Sequence, residues 1–318
     1  YVMHFKTKGT HTPTDMVSRR KKNNRSKLYI SAIVCIIALL TAGKSGYINR
    51  LHEILKTDTA VANTEKTDSN AYPESYETTS TKEQSPISGM EMPAPISNKP
   101  EIILKRTAYT VSYNIETKCP NYVAWRLYPE RLQGDVKRTN NFTPDEEIDE
   151  TYRIETGDYR RSGYDRGHMC PAGDNAFSEK AMEESFLMTN ICPQGHNLNA
   201  GDWNQLEEFC RELGMHQTVY IACGPIYDSK SPKRIGNRKK LKISVPDRFF
   251  KVLLILGNSP KAIGFIMPND DTDKPLAEYA VSVDSVEKAT GIDFFTGLDD
   301  KTESHVESQC SPEQFGLN

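Results

Sequence analysis

An excess of positive charge is missing from this sequence: 40 Lys and Arg stand against 43 Asp and Glu, a formal net charge of −3 over 318 residues. That excludes the globally basic signature carried by many nucleic-acid binders. Zinc-type spacing is missing as well. No CxxC or HxxxH pair occurs, so a zinc site has no support from ligand spacing. There is no internal repeat, and no segment reads as a helix built for the major groove. The longest apolar run, Leu28–Gly43, has 16 residues, a little short of the roughly 17–25 that a spanning helix needs. A mean hydropathy of −0.61 indicates that part of the chain cannot bury enough apolar surface to fold.

The charge is unevenly spread. Residues 1–100 hold 14 Lys and Arg against 9 Asp and Glu, and residues 101–318 hold 26 against 34, a net of −8. The basic stretch "RRKKNNRSK" (Arg19–Lys27) runs directly into the apolar Leu28–Gly43 segment, which ends in small residues. A positive region followed by an apolar run is the pattern of an export signal. Residues 1–45 are therefore expected to be an export signal or uncleaved signal anchor, with Met16 as its natural start and residues 28–43 as the possible membrane anchor. An exported chain, whether periplasmic, secreted or membrane-anchored, follows from that pattern. Residues 46–104 are rich in Ser, Thr, Glu and Pro with almost no apolar periodicity, and are expected to be a disordered linker. Beyond Cys35, six cysteines remain. An even number in an exported chain suits disulfides, although sequence alone does not choose the pairing.

From residue 105 onward the pattern is that of a folded domain, expected to extend to residue 318. Tyr109–Pro129 is rich in β-branched and aromatic residues and reads as two strands forming a hairpin. Glu184–Gln194 and Gln217–Tyr227 read as further strands, and Phe249–Gly257 with Lys261–Pro268 as a second hairpin. Ala200–Met215 places Trp203, Leu206, Phe209, Cys210 and Leu213 at helical spacing, with Asp202 as a plausible N-cap and Gly214 as a stop. Ala277–Gly291 reads as a strand turning into a short helix. The class is α+β, with an antiparallel sheet core and flanking helices.

Two clusters could carry chemistry. In "YDRGHMCPAGDN" (Tyr164–Asn175), His168 can accept a proton near neutral pH if its orientation is fixed. Asp165 and Arg166 can lock the loop by charge-assisted hydrogen bonds, and Gly167 permits close backbone passage. The plain alternative is a satisfied histidine in a polar turn. In "TNICPQGHNLNAGDWNQLEE" (Thr189–Glu208), Asn190, Asn197, Asn199 and Asn204 surround a helix start, and Glu207 follows on the helix. Magnesium takes oxygen ligands and keeps several waters, so one or two protein oxygens suffice. Asparagines are more commonly caps and turn formers, and composition alone favours that use.

The order of these motifs resembles the DNA/RNA non-specific endonuclease family, of the ββα-metal nuclease superfamily that includes endonuclease G. The likeness spans roughly residues 105–300 and includes "KRTNNF" (Lys137–Phe142), "DYRRSGYDRGHMCPAGD" (Asp158–Asp174), "MTNICPQ" (Met188–Gln194) and "TGIDFF" (Thr290–Phe295). It implies the ββα-metal fold, with "DRGH" and the Phe186–Pro193 segment as the two β elements and the helix after Asn199 as the α. It further implies that His168 is the general base and Asn199 the ligand of one Mg2+, for which Mn2+ could substitute. Glu207 would hold metal-bound water, Arg138 would neutralise transition-state charge, and Arg166 with Asp165 would support the site.

The implied activity is hydrolysis of DNA and RNA, single- or double-stranded, without sequence specificity, leaving 5′-phosphate and 3′-hydroxyl ends. Homodimers are common in the family. "KSPKRIGNRKKLK" (Lys230–Lys242), with seven Lys and Arg and no acid, reads as a phosphate-tracking loop or a solvated one. Tyr159, Tyr164 and Trp203 could stack on bases, with core packing the better reading for Trp203. Two rival functions are a surface module that binds nucleic acid without cutting it and a phosphodiesterase for small substrates.

Overall fold

Alternating apolar residues on the central strands build two cores, one on each face of a sheet. On β3 (Cys119–Leu127), Tyr122 and Ala124 point one way and Val123 and Trp125 the other; on β9 (Arg248–Ile255), Phe250, Val252 and Leu254 oppose Phe249, Lys251 and Leu253. Both faces are covered, so these strands read as nearly continuous apolar runs and are buried along almost their whole length.

A computed structural model describes residues 89–238, 241–270 and 273–317. The export signal, the anchor at residues 28–43 and most of the linker lie outside the described residues. Among the described residues a seven-stranded sheet runs in the order β1-β2-β3-β6-β9-β10-β11. Its members are β1 (Ile102–Lys105), β2 (Thr110–Asn114), β3, β6 (Val219–Ile226), β9, β10 (Lys261–Pro268) and β11 (Ala280–Val281). Every pairing in it is antiparallel. The two expected hairpins are β2–β3 and β9–β10, the latter with Ile255 opposite Lys261. Two short pairs stand apart from this sheet: β4 (Asp165–His168) with β5 (Ile191–Gln194), and β7 (Arg234–Ile235) with β8 (Ile243–Ser244). The helices are α1 (Glu179–Ser185), α2 (His196–Ala200), α3 (Asp202–Gly214), α4 (Val283–Thr290) and α5 (Asp300–Glu307).

Helix α3 covers one face. Its Trp203 ring lies 5.6 Å from Phe249 and its Phe209 ring 6.3 Å from Phe265. Helices α4 and α5 cover the other, where Val283, Val286 and Val306 join Tyr122, Phe250, Phe294 and Phe295 in one cluster.

Several expectations are corrected. The linker does not reach residue 104. Met90 is 5% exposed within the α4–α5 core, and β1 pairs with β2 from Ile102. A few apolar residues among many polar ones suffice once a sheet edge is available. Only the end of Glu184–Gln194 is a strand; its first part closes α1 and passes through a 3-10 turn at Met188–Asn190. Asp202 is the first residue of α3, not its cap; its buried carboxylate accepts a 2.6 Å hydrogen bond from the Tyr279 hydroxyl. The six cysteines beyond Cys35 are free thiols, five of them buried and Cys310 exposed. The disulfide expectation had rested on export and on even number alone.

Candidate active site

The β4–β5 pair and helices α2 and α3 form a ββα unit on the α3 side of the sheet. Register places Gly167 opposite Cys192 and His168 opposite Ile191. A Cβ on Gly167 would come within 2.0 Å of the Gln194 Oε1, so the two strands meet this closely only with glycine there. The backbone after His168 is fixed by Asn190. Its Oδ1 accepts from the Cys170 N–H at 2.9 Å, and its Nδ2 donates to the carbonyls of Cys170 and Ser185, both at 2.8 Å. This side chain, rather than a disulfide at Cys170, pins the loop.

His168 is 7% exposed. Its ring packs edge-on to Phe186 at 4.9 Å and tilted against Phe142 at 5.3 Å, and its Nε2 is buried without a hydrogen-bond partner. Each aromatic ring also carries a guanidinium: Arg138 stands over Phe186 at 5.2 Å and Arg166 over Phe142 at 4.1 Å. Burial, followed by the positive charges of Arg138 and Arg166, pulls the His168 pKa down to about 3. The ring is therefore neutral at physiological pH and free to accept a proton.

Arg138 is exposed, and its Nε donates to Asn140 Oδ1 at 2.7 Å. Asn140 sits at φ 54°, a left-handed conformation that asparagine tolerates. Asp165 Oδ2 accepts from Asn199 Nδ2 at 3.0 Å and lies 2.8 Å from His196 Nδ1. Asp165 holds the amide nitrogen of Asn199, and the amide oxygen of the same side chain is a hard donor suited to Mg2+.

Glu207 is half-buried on α3. Burial pushes its pKa up to about 7, against the pull of Lys251, Arg211 and Arg138. Arg138 thus acts electrostatically on both His168 and Glu207. Asn199 and Glu207 both offer oxygen, the donor type that a hard divalent cation takes directly or through water.

A cavity of about 500 Å3 opens beside these groups, lined among others by Phe142, Tyr159, Tyr164, Arg160, Arg166 and Asn199. Lys233 and Asn237, from the basic Lys230–Lys242 stretch, contact residues of its lining. Lys233 donates to the Tyr164 hydroxyl at 3.1 Å and lies 4.8 Å over its ring. Arg238 is ion-paired with Asp158, and Asn237 donates to the Gly157 carbonyl. Arg238 is thus spent on structure, whereas Lys233 and Arg234 are exposed.

All six residues singled out from the sequence, His168, Arg138, Glu207, Arg166, Asp165 and Asn199, fall in this region. Other candidates do not. Asn190 is a buried clamp, Asn204 donates to Glu208 along the helix at 3.1 Å, and Trp203 is core. Three participants went unread. Phe142 and Phe186 were visible only as motif letters. Lys251 is the one charge in the apolar run Phe249–Ile255. It is fully buried, with Nζ 4.4 Å from the Trp203 ring centre and 5.6 Å from that of Trp125. Burial works against its charge, but nearby acidic groups, Glu207 and Asp174 among them, hold its pKa above the usual lysine value.

The family model described as DNA/RNA non-specific endonuclease matches residues 86–301. Human "Endonuclease G, mitochondrial" is 35% identical over 205 residues, covering 61% of this chain and 69% of its own. Human "Nuclease EXOG, mitochondrial" is 35% identical over 223 residues, covering 64% of this chain and 59% of its own. A solved structure described as an EndoG/EndoGI complex superposes with a TM-score of 0.59 at 30% identity, covering 64% of this chain and 90% of that one. These relatives overturn the expectation of an exported chain, since both curated ones are mitochondrial by name. The expectation had rested only on a basic cluster before an apolar run, a pattern that does not name a compartment. Among the described residues no helix is long and apolar enough to cross a membrane.

Proposed function

The chain belongs to the DNA/RNA non-specific endonuclease family, and from that premise we propose how its residues divide the work of hydrolysing phosphodiester bonds in DNA and RNA. The observation that carries the assignment is the buried, unpartnered Nε2 of His168, held between two rings that each carry an arginine. His168 is the general base, taking a proton from the attacking water. Arg138 and Arg166 bring the phosphodiester anion up to it and offset the charge that grows on phosphoryl oxygens. As the anion arrives, it offsets the field that depresses the His168 pKa, so the base strengthens when substrate is in place.

Asn199 would hold Mg2+, with Mn2+ able to replace it, and Glu207 would hold water bound to the ion, which would supply Lewis acidity at the phosphate and the leaving 3′-oxygen. Asp165 orients Asn199 by its hydrogen bond to Nδ2, and Glu207 orients bound water. Attack in line with the 3′-oxygen leaves a 5′-phosphate and a 3′-hydroxyl. The cavity takes the nucleotide next to the scissile bond, and Lys233 and Arg234 track the backbone beyond it. Contacts of this kind read phosphate rather than base edges, which accounts for the lack of sequence preference. The domain's net negative charge confines the attraction to these cations.

The test is cleavage of plasmid DNA and of RNA by purified protein with Mg2+, with and without EDTA, beside His168→Ala and Asn199→Ala. Cutting of both polymers, lost with EDTA and in both variants, is the expected result. Binding without cutting would favour the inactive module, and cleavage of a small diester alone would favour the third reading. Full activity in His168→Ala would remove the base from its role.

A further inference from the structure

On the sheet face opposite α3, helices α4 and α5 bring three carboxylates together. Oxygen atoms of Asp284, Glu287 and Glu307 all lie within 4.8 Å of one another. Asp284 and Glu287 are three residues apart on α4, so they share one face, and Glu307 closes α5. Their exposure is graded: Asp284 is exposed, Glu287 half-buried and Glu307 buried.

Glu307 is the decisive member. It is 4% exposed, and its Oε1 has no hydrogen-bond partner. A buried carboxylate with an empty acceptor is costly unless a proton or a cation compensates it. No compensating base is at hand: among the described residues none of the three forms an ion pair with Lys, Arg or His. Asp293 and Glu303 add negative potential at both Glu287 and Glu307. Glu287 is moreover held in place, its Oε1 accepting from the Phe294 N–H at 2.8 Å.

We propose that Asp284, Glu287 and Glu307 form a Ca2+ site that ties α4 to α5, separate from the catalytic metal position at Asn199. Carboxylates are the hard donors that such a cation takes, and three of them suit an ion that accepts about 6–8 oxygens in flexible geometry. Mg2+ demands a tighter octahedron and is usually held by one or two carboxylates. Water reaches the site past the exposed Asp284 and completes the shell. The Ca2+ binds the folded chain and not the unfolded one, so it stabilises the closing helices of the domain.

The experiment is calorimetric titration of the EDTA-stripped, desalted full chain with CaCl2 and with MgCl2, paired with thermal unfolding. Wild type, Asn199→Ala and the double variant Asp284→Asn/Glu287→Gln are compared. The expected result is a Ca2+ site and a Ca2+-dependent rise in Tm in wild type and in Asn199→Ala, both absent from the double variant. Should the double variant fail to fold, Asp284→Asn alone, at an exposed position, is expected to weaken Ca2+ binding about tenfold. Absence of Ca2+ binding in wild type, or binding that survives the double variant and disappears in Asn199→Ala, overturns the site. An equal response to Mg2+ overturns the assignment to Ca2+.

Discussion

The side-chain amide of Asn199 donates its hydrogen bond to Asp165, three residues before His168 on the same short strand. One carboxylate therefore links the residue proposed to hold the metal with the strand that carries the proposed base. Asp165→Ala is expected to lower activity by about 10–100-fold, the usual cost of losing a partner that orients a ligand. The Mg2+ concentration for half-maximal activity should rise, while the circular dichroism spectrum stays as in wild type. Unchanged Mg2+ dependence would show that Asn199 needs no such support.

Gly167 has a different task. Gly167→Ala forces a methyl against Gln194, 2.0 Å from its Oε1, so β4 and β5 must part. The expected outcome is a loss of roughly 1–3 kcal/mol in urea unfolding and at least a hundredfold loss of activity from displacement of His168. Retention of both would mean that the strands separate without moving the histidine.

The depressed pKa of His168 has consequences for pH. Its folded-state value of about 3 lies below the 6.5 of a free ring, so the unfolded chain takes up a proton first. The contribution of this residue to stability is complete above pH 6.5 and is lost as pH falls toward 3. In the free enzyme the acid limb of kcat/KM should accordingly lie well below that of an ordinary histidine. Arg166→Gln removes one of the two neighbouring charges and is expected to raise the histidine pKa. Imidazole NMR titration of wild type and variant measures it directly, and an unaltered value would show that the Arg166 charge does not act on the ring.

The basic loop separates into working and structural cations. Lys233→Gln is expected to raise KM for polymeric DNA with little change in kcat, and to lower the slope of log affinity against log salt by about 0.9, one phosphate contact. Arg238, paired with Asp158, should instead show its loss in Tm. A salt slope unaltered in Lys233→Gln would return the loop to the role of solvated surface.

The sheet and the catalytic motif were legible in the sequence for different reasons. Runs rich in β-branched, aromatic and other apolar residues along Tyr109–Pro129 and Phe249–Pro268 marked both hairpins, because strands covered on both faces are apolar along most of their length. The DRGH segment stayed ambiguous in isolation; resemblance to the family, not spacing, assigned roles to His168 and Asn199. Features that depend on distant partners were not legible. Asp202 reads as a cap until Tyr279, far along the chain, comes to its carboxylate. Lys251 looks misplaced in an apolar strand until two indole rings are found around it. Met90 and β1 were hidden in polar composition, and join the fold only because the sheet edge and the α4–α5 core are built by residues much later in the sequence.

The five buried thiols give the domain an internal register of its own opening. Burial raises the pKa of Cys170 and Cys210 to about 12 and also lifts those of Cys192 and Cys223, so the reactive thiolate is scarce in the closed fold. Cys310 alone among the described cysteines is exposed. An alkylating reagent should therefore take the Cys310 sulfur at once and the others only as their layers come apart. Cys170 and Cys192 flank the candidate base and Cys223 lies in the central sheet, so the order in which they are labelled would tell whether the catalytic ribbon loosens before the sheet does.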